Sequence, residues 1–529
     1  MYAYGSAIPS QRNKKCDEPS EELRVAVTFP RPDREPGPTK RGVHLSLQNI
    51  KNFEPEPQKM ERGIDELRKL GFKLTGRGRL TVSMKCTGDL FKNVFGTTLE
   101  KRKIKSPENY PVPSVCFPPK GAPWKFPPTL AELIDDVYIQ WPHLFPICIP
   151  LRKRDDDDTP MSLPGASAPP AKLSAKPPKL KDYPLKVPSG IASLLKAKKV
   201  HDAGTTGEGV RVVMIDTGFE HTHPFFNGYT SKVVLAGDAK HKRKDAFGHG
   251  TGESANIFAL APRVEFIGVK IGTDAIEDFD VEPASLLEGF CKARQQNPDV
   301  ISISTGWDLR WKAPPKQRAN LPRSVKALEA EILHAVASGI TVVVAAGNGT
   351  FAFPGMMPDV ISAGGVYVDT DGNMKASGIA SAFDSKIYPG RHVPDFCGIL
   401  GAKLHGKFMI GLGDSKPINH GILLPVPMGC GMDFGQSAAR DGTSPRDGWA
   451  AFCGTSTAAP QIAAVCALLK AKNPNLTPSD IKAILRCTAR KVLVGHANPK
   501  SSDDRKTPQR GAGATGAGLV DAFRAWQKV

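Results

Sequence analysis

Ten cysteines are scattered through 529 residues without a CxxC pair or regular spacing, which argues against a structural zinc site of the paired-thiolate kind. Several sit inside apolar runs, as Cys466 does within Ile462 to Leu469, where a reduced thiol acts as a small hydrophobe. No window approaches the ~18 continuous apolar residues of a spanning helix, and residues 1 to 22 have no apolar core or cleavage pattern. These absences give no membrane partner and a cytoplasmic location by default, with export lacking an N-terminal signal left open. Acidic residues are outnumbered, 53 to 71, for a formal net charge of +18, yet no basic stripe is interleaved with aromatics. A solvated basic surface is therefore expected, with no nucleic acid as partner. No set of calcium ligands can be picked out, so structural calcium is possible but unassigned, and no cofactor or metal is expected for the chemistry.

What is present is globular: 40% hydrophobic and 23% charged residues, in a chain too long for one ordinary core. Residues 1–21 read as a flexible tail. Order is expected from Glu22 to Phe29, an alternating β-branched strand. Met60, Ile64, Leu67 and Leu70 recur at helical spacing; Leu80 to Met84 suits a strand, Gly88 to Phe95 a helix and Thr97 to Lys103 a strand. Strand, helix, strand, helix, strand makes a small α+β domain over 22–142. Residues 143–186, rich in Pro, Lys and Asp, read as an exposed linker, with Arg152 to Arg154 a candidate place for cleavage.

From 187 to 529 the pattern changes to Val/Ile-rich runs: Gly209 to Ile215, Val264 to Lys270, Val300 to Ser304 and Ile340 to Ala346. Helical stretches at Thr251 to Ala259, Pro283 to Gln295 and Ser324 to Ser338 alternate with them, which predicts an α/β domain with a doubly wound, mostly parallel sheet. Asp216 closes the first run, where such a fold gathers its ligands. His249, in Phe247-Gly-His-Gly-Thr251, opens an apolar helix whose positive end is expected to hold the imidazole neutral. Ser456, in Gly454-Thr-Ser-Thr-Ala-Ala-Pro460, opens another, where its own amide is placed for a developing oxyanion. Asn348 ends the fourth run and offers a second oxyanion donor, although Asn-Gly also suits a plain turn. A serine hydroxyl attacks near neutral pH only with an imidazole to take its proton and a carboxylate to orient that imidazole.

Asp, His and Ser in this order resemble the subtilisin-like serine peptidases. The likeness extends to His223-Pro224, Ala345 to Asn348, Phe353-Pro-Gly355, Val360 to Gly364 and, more weakly, Val393-Pro-Asp395 and Gly516 to Ala522. It implies that Asp216 orients, His249 serves as base and then acid, Ser456 is the nucleophile and Asn348 serves the oxyanion. It also implies that Ser304, Thr305 and Gly306 and, opposite them, Ala345, Ala346 and Gly347 line the substrate side chain, the first three pairing with a peptide as an added strand. Residues 22 to 142 resemble the activation prodomains of subtilisin-like and sedolisin-like peptidases through Phe95-Gly-Thr-Thr-Leu99 and Phe126 to Tyr138. The implied partners are a peptide or protein substrate and this prodomain acting in cis.

The chain departs from the family pattern in two places. Gly252 stands where the family usually writes a second histidine, and Glu253 follows it; the stretch between Asn348 and Ser456 is longer than in compact relatives. Sedolisins replace the histidine with glutamate, but they place an aspartate where this chain has Asn348, so a neutral pH optimum is expected; a maximum near pH ~4 would contradict it. A non-hydrolytic scaffold that binds peptides on the same fold competes with the peptidase reading of residues 187–529. For residues 22–142 the competitor is an unrelated α/β unit that binds partners.

Overall fold

A computed structural model describes residues 22–103, 114–119, 121–140, 173–179, 185–275, 283–309, 321, 323–369, 371–401, 421–433, 443, 446–501 and 507–529. The tail before residue 22, the Arg152 to Arg154 run and most of the stretch read as a linker lie outside these.

The N-terminal unit begins with β1 (Glu22–Thr28), followed by α1 (Pro57–Lys69), β2 (Lys73–Arg77), β3 (Thr81–Thr87), α2 (Gly88–Phe95) and β4 (Asp136–Ile139). The strands form one antiparallel sheet in the order β2-β3-β1-β4, with Val25 of β1 opposite Met84 of β3 and Ile139 of β4. Alternation in β1 explains its two buried faces. Leu23, Val25 and Val27 enter a local core with Met60, Ile64 and Leu67 of α1 and Phe91 and Phe95 of α2. Ala26 points the other way, into a core shared with the C-terminal unit.

Two expectations need correction here. The sheet contains β2, whose Lys-Leu-Thr-Gly-Arg has a single apolar residue and hence no alternation to mark it as a strand. The strand expected over Thr97 to Lys103 is shorter, Glu100–Lys103, and pairs with Ser114–Phe117 in a separate ribbon instead of joining the sheet.

The C-terminal unit carries β5 (Arg211–Asp216), β6 (Ser231–Leu235), α3 (His249–Leu260), β7 (Glu265–Lys270), α4 (Leu286–Arg294), β8 (Val300–Ile303), α5 (Arg323–Ala337), β9 (Thr341–Ala345), β10 (Ile361–Val368), β11 (Met374–Ala376), β12 (Phe396–Ile399), β13 (Ile422–Pro425), β14 (Trp449–Phe452) and α6 (Thr455–Lys472). The main sheet runs β11-β10-β9-β8-β5-β7-β6, with β12 also beside β10. All its pairings are parallel except β10 with β11. This is the expected α/β architecture. The unit starts slightly earlier than residue 187, because Leu185–Lys186 already pairs with β13. Part of the expected linker is also engaged: Ser174 O accepts from Trp449 Nε1 at 3.2 Å.

Every residue of α3 is buried, and so is α6 from Thr455 to Lys470. A helix buried all round shows no apolar stripe, and close packing then demands small residues. Ala458, Ala459, Ala463, Ala464 and Ala467 supply them in α6. Helices α4 and α5 bury their other faces under the N-terminal sheet. Leu286, Leu287, Phe290, Leu328 and Ile332 share one core with Ala26, Leu45, Phe53, Leu80 and Tyr138.

Two buried carboxylates fix this docking. Glu331 of α5, 0% exposed, accepts the backbone N–H of Leu80 at 2.8 Å, of Thr81 at 2.9 Å and of Arg79 at 3.1 Å, as well as the Thr81 hydroxyl at 3.0 Å. Gly78 lets the carboxylate come that close, since a Cβ there would overlap it. Glu288 of α4 takes both oxygens to Arg24 Nη1, at 2.8 and 2.9 Å, a charge-assisted contact across the boundary.

Candidate active site

Asp216 is the last residue of β5, and residues 304–306 and 345–348 follow the neighbouring strands β8 and β9. Parallel register therefore brings three separate segments to one sheet edge. Asp216 Oδ1 accepts from Thr217 N at 2.8 Å and meets His249 Nδ1 at 2.7 Å. Both side chains are nearly free of solvent, at 0% and 6% exposed. Held this way, Nδ1 carries the proton and Nε2 is left as the basic atom.

His249 is the first residue of α3, and its position is set by Asp245, a residue outside the sequence motifs. Asp245 accepts from Gly248 N at 2.9 Å, Thr251 N at 3.0 Å, Thr251 Oγ1 at 2.7 Å and Thr217 Oγ1 at 2.9 Å. A carboxylate on the free amides of a first turn acts as a helix cap. Thr217 Oγ1 in turn accepts from Gly250 N at 3.0 Å, so the end of β5 and the start of α3 are tied together. Gly248 takes φ 88°, which favours glycine at that turn. An Asp four residues before the histidine is the signal in the sequence that could have found it.

Ser456 is the second residue of α6, 4% exposed. Among the described residues its hydroxyl donates only to Ser304 O, at a long 3.5 Å, and Ser304 Oγ donates back to Ser456 O at 3.2 Å. Asn348 lies beside it. Asn348 Oδ1 accepts from Thr455 N at 2.9 Å and Thr455 Oγ1 at 3.0 Å, and Gly347 N donates to Thr455 Oγ1 at 3.1 Å. With its oxygen engaged, the amide directs Nδ2 past Gly454, where an added Cβ would lie 3.0 Å away. The remaining candidates Ser304, Thr305, Ala345 and Ala346 are buried at the ends of their strands. Gly306 packs against Phe353 O so closely that a Cβ would overlap it, and the next residues, Trp307–Asp308, pair with Ala352–Phe353.

The missing second histidine has a local cause. A Cβ on Gly252 would overlap the Phe452 ring, whose centroid lies 6.0 Å from that of His249. Glu253, one turn after His249, is 0% exposed, with Oε1 3.8 Å from His249 Nε2. Its Oε2 accepts from Asn256 Nδ2 at 2.9 Å, and Asn256 Oδ1 accepts from Gln461 Nε2 of α6 at 3.1 Å.

These neighbours overturn the expected protonation behaviour of His249. Burial alone pulls an imidazole toward its neutral form, but the Asp216 carboxylate, and behind it Glu253 and Asp245, outweigh burial and push the histidine well above its ordinary value. A helix terminus is worth at most ~2 kcal/mol and loses to carboxylates at such range. Burial, with Asp216 adding to it, pushes the Glu253 carboxyl up as well, against the pull of His249 and the Asn256 bond.

The model of the subtilase family, Peptidase_S8, matches residues 207–514, more than half of the sequence. The chain belongs to the subtilase family. Subtilisin NAT of Bacillus subtilis subsp. natto is 27% identical over 321 residues, 58% of this chain and 67% of that protein. Serine protease AprX of Bacillus subtilis (strain 168) is 30% identical over 312 residues, 53% and 61% of the two chains. The subtilisin of Bacillus pumilus is 27% identical over 316 residues, 57% and 91%. This subtilase is thus a subtilisin-like serine peptidase, and the matched span begins before β5 and closes after α6, enclosing all four candidate side chains. Among its described residues, no group of three or more His, Cys, Asp or Glu side chains is arranged to hold a metal ion, and no helix is long and apolar enough to cross a membrane.

Proposed function

We propose that this subtilase is an endopeptidase that cleaves peptide bonds through an acyl-enzyme, with Ser456 as nucleophile, His249 as base and then acid, and Asp216 as orienting carboxylate. The observation that carries the reading is the 2.7 Å contact between Asp216 Oδ1 and His249 Nδ1 at the mouth of the sheet, beside the helix that presents Ser456. Ser456 loses its proton to His249 Nε2 as it attacks the peptide carbonyl. The oxyanion forms between the Ser456 amide and Asn348 Nδ2. Collapse of the tetrahedral species passes the proton from Nε2 to the leaving amine, and water repeats the sequence on the acyl-enzyme. Ser304, Thr305 and Gly306 with Ala345, Ala346 and Gly347 flank the substrate.

The N-terminal unit serves as a cis-acting prodomain in this reading. Its continuous core with α4 and α5, and the Glu288 and Glu331 contacts, support a stable docked form. Labelling with a fluorophosphonate tests the assignment: label that survives Ser456→Ala refutes it, and mass measurement of the N-terminus reports whether the chain is cut between the two units.

A further inference from the structure

One buried group beside the base is left unused by this mechanism. Glu253 is fully buried, and its Oε1 has no hydrogen-bond partner among the described residues. A lone carboxylate oxygen away from water is costly unless a charge or proton compensates it. The nearest cationic candidate is His249 Nε2 at 3.8 Å, too far for a hydrogen bond and near enough for a strong through-space interaction. Asn256, held by Gln461, fixes Oε2 and so aims Oε1 at the imidazole.

We infer that Glu253 is a positioning residue for the base: it faces the nucleophile-side nitrogen of His249 and sets the pH range over which that nitrogen is free to accept the Ser456 proton. The inference rests on His249 being the base. The elements packed against α3 are β5, α6, β13 and the helix Ser189–Leu194, of which the last two carry no charged side chain. The end of β5 presents Asp216, the loop before α3 presents Asp245, and both are acidic. Helix α6 presents the neutral Gln461 and β14 the Phe452 ring. The Cys430 thiol, beside Gly248, is pushed well above its ordinary value by burial and stays neutral. His249 is therefore the cation that faces Glu253 among the described residues. An ionised Glu253 favours the imidazolium, which helps once Ser456 has surrendered its proton and hinders before. Because only neutral His249 accepts a proton, removing that charge moves the acid limb of activity to lower pH.

The test is the second-order rate of fluorophosphonate labelling of the full chain from pH ~4 to ~10. Glu253→Gln is expected to move the acid limb down by about one to three units, the usual effect of one charge at this range. Glu253→Asp, which keeps a carboxyl, is expected to stay nearer the native limb than Gln does. A Gln limb that coincides with the native one, or moves up, overturns the inference. If Gln destabilises the chain, Glu253→Val gives the same readout with an apolar side chain. A measurement without any change at 253 follows the Nε2 signal of 15N-histidine in Ser456→Ala. Two inflections, from His249 and Glu253, are expected, and a single inflection overturns the inference. Failure of the native chain to label at any pH counts instead against the assignment of Ser456 and His249.

Discussion

Removing the charge of Glu331 is expected to loosen the whole N-terminal unit, because one carboxylate collects three backbone amides and a hydroxyl from the β2–β3 turn. Glu331→Gln keeps the shape and changes two things. The amides of Leu80 and Thr81 then donate to a neutral oxygen instead of a charged one, at a loss of about 1 kcal/mol each. The amide of Arg79 faces an NH2 group and is left unpaired, at about 1–3 kcal/mol. The sum is about 3–5 kcal/mol, or two to four orders of magnitude in the docking equilibrium at ~1.4 kcal/mol per decade. Hydrogen exchange of Arg79, Leu80 and Thr81, measured in a Ser456→Ala background so that no self-cleavage intervenes, reads this directly. Opening free energies at the turn should fall by the stated amount while α3 and α6 keep their protection. A fall under about 0.5 kcal/mol at those amides would refute the claim that the carboxylate holds the turn.

Four further outcomes follow from the same contacts. Asn348→Ala should lower kcat by ~100- to 1,000-fold with KM little changed, since the lost donor acts on the oxyanion; a tenfold or smaller effect would remove Asn348 from that role. The native rate of peptide hydrolysis should rise through an acid limb above the ordinary imidazole value of 6.5, because the raised His249 must lose its proton to act as base; a limb near pH ~4 would count against histidine. Gly252→Ala should cost about 1–3 kcal/mol through overlap with Phe452, and Phe452→Leu should recover part of it in a double-mutant cycle. Burial lowers His221 to about 4, with Nδ1 on Ser231 Oγ at 2.8 Å and Nε2 on Ser254 Oγ at 2.9 Å. Its folded value lies below the unfolded one, so the stability it supports is present above about pH 6.5 and lost as pH falls toward about 4, up to roughly 3 kcal/mol; Tm against pH should flatten in His221→Asn.

Much of the sheet was legible because buried parallel strands are written as uninterrupted Val/Ile runs. β5, β7, β8 and β9 all fall within a residue or two of those runs. The glycine-flanked histidine and serine marked two helix starts for a similarly local reason. What stayed hidden depends on neighbours distant in sequence. Phe452 occupies the space over Gly252 from two hundred residues away. The protonation of His249 follows first from Asp216, which the sheet brings over from a different strand, whereas Asp245 and Glu253 stand four residues to either side and only the fold shows how near the ring they come. Glu288 and Glu331 look like ordinary charges within amphipathic helices until the sheet that covers them is in place.

The placement of that sheet bears on how the molecule is assembled. Helix α4 is the crossover between β7 and β8, and α5 the crossover between β8 and β9, so the N-terminal unit clasps the connections that deliver residues 304–306 and 345–348 to the sheet edge. Parallel strands meet only after long loops have closed, an entropic cost incurred before any contact rewards it. A surface that holds both crossovers side by side offsets part of that cost for as long as the two units stay docked.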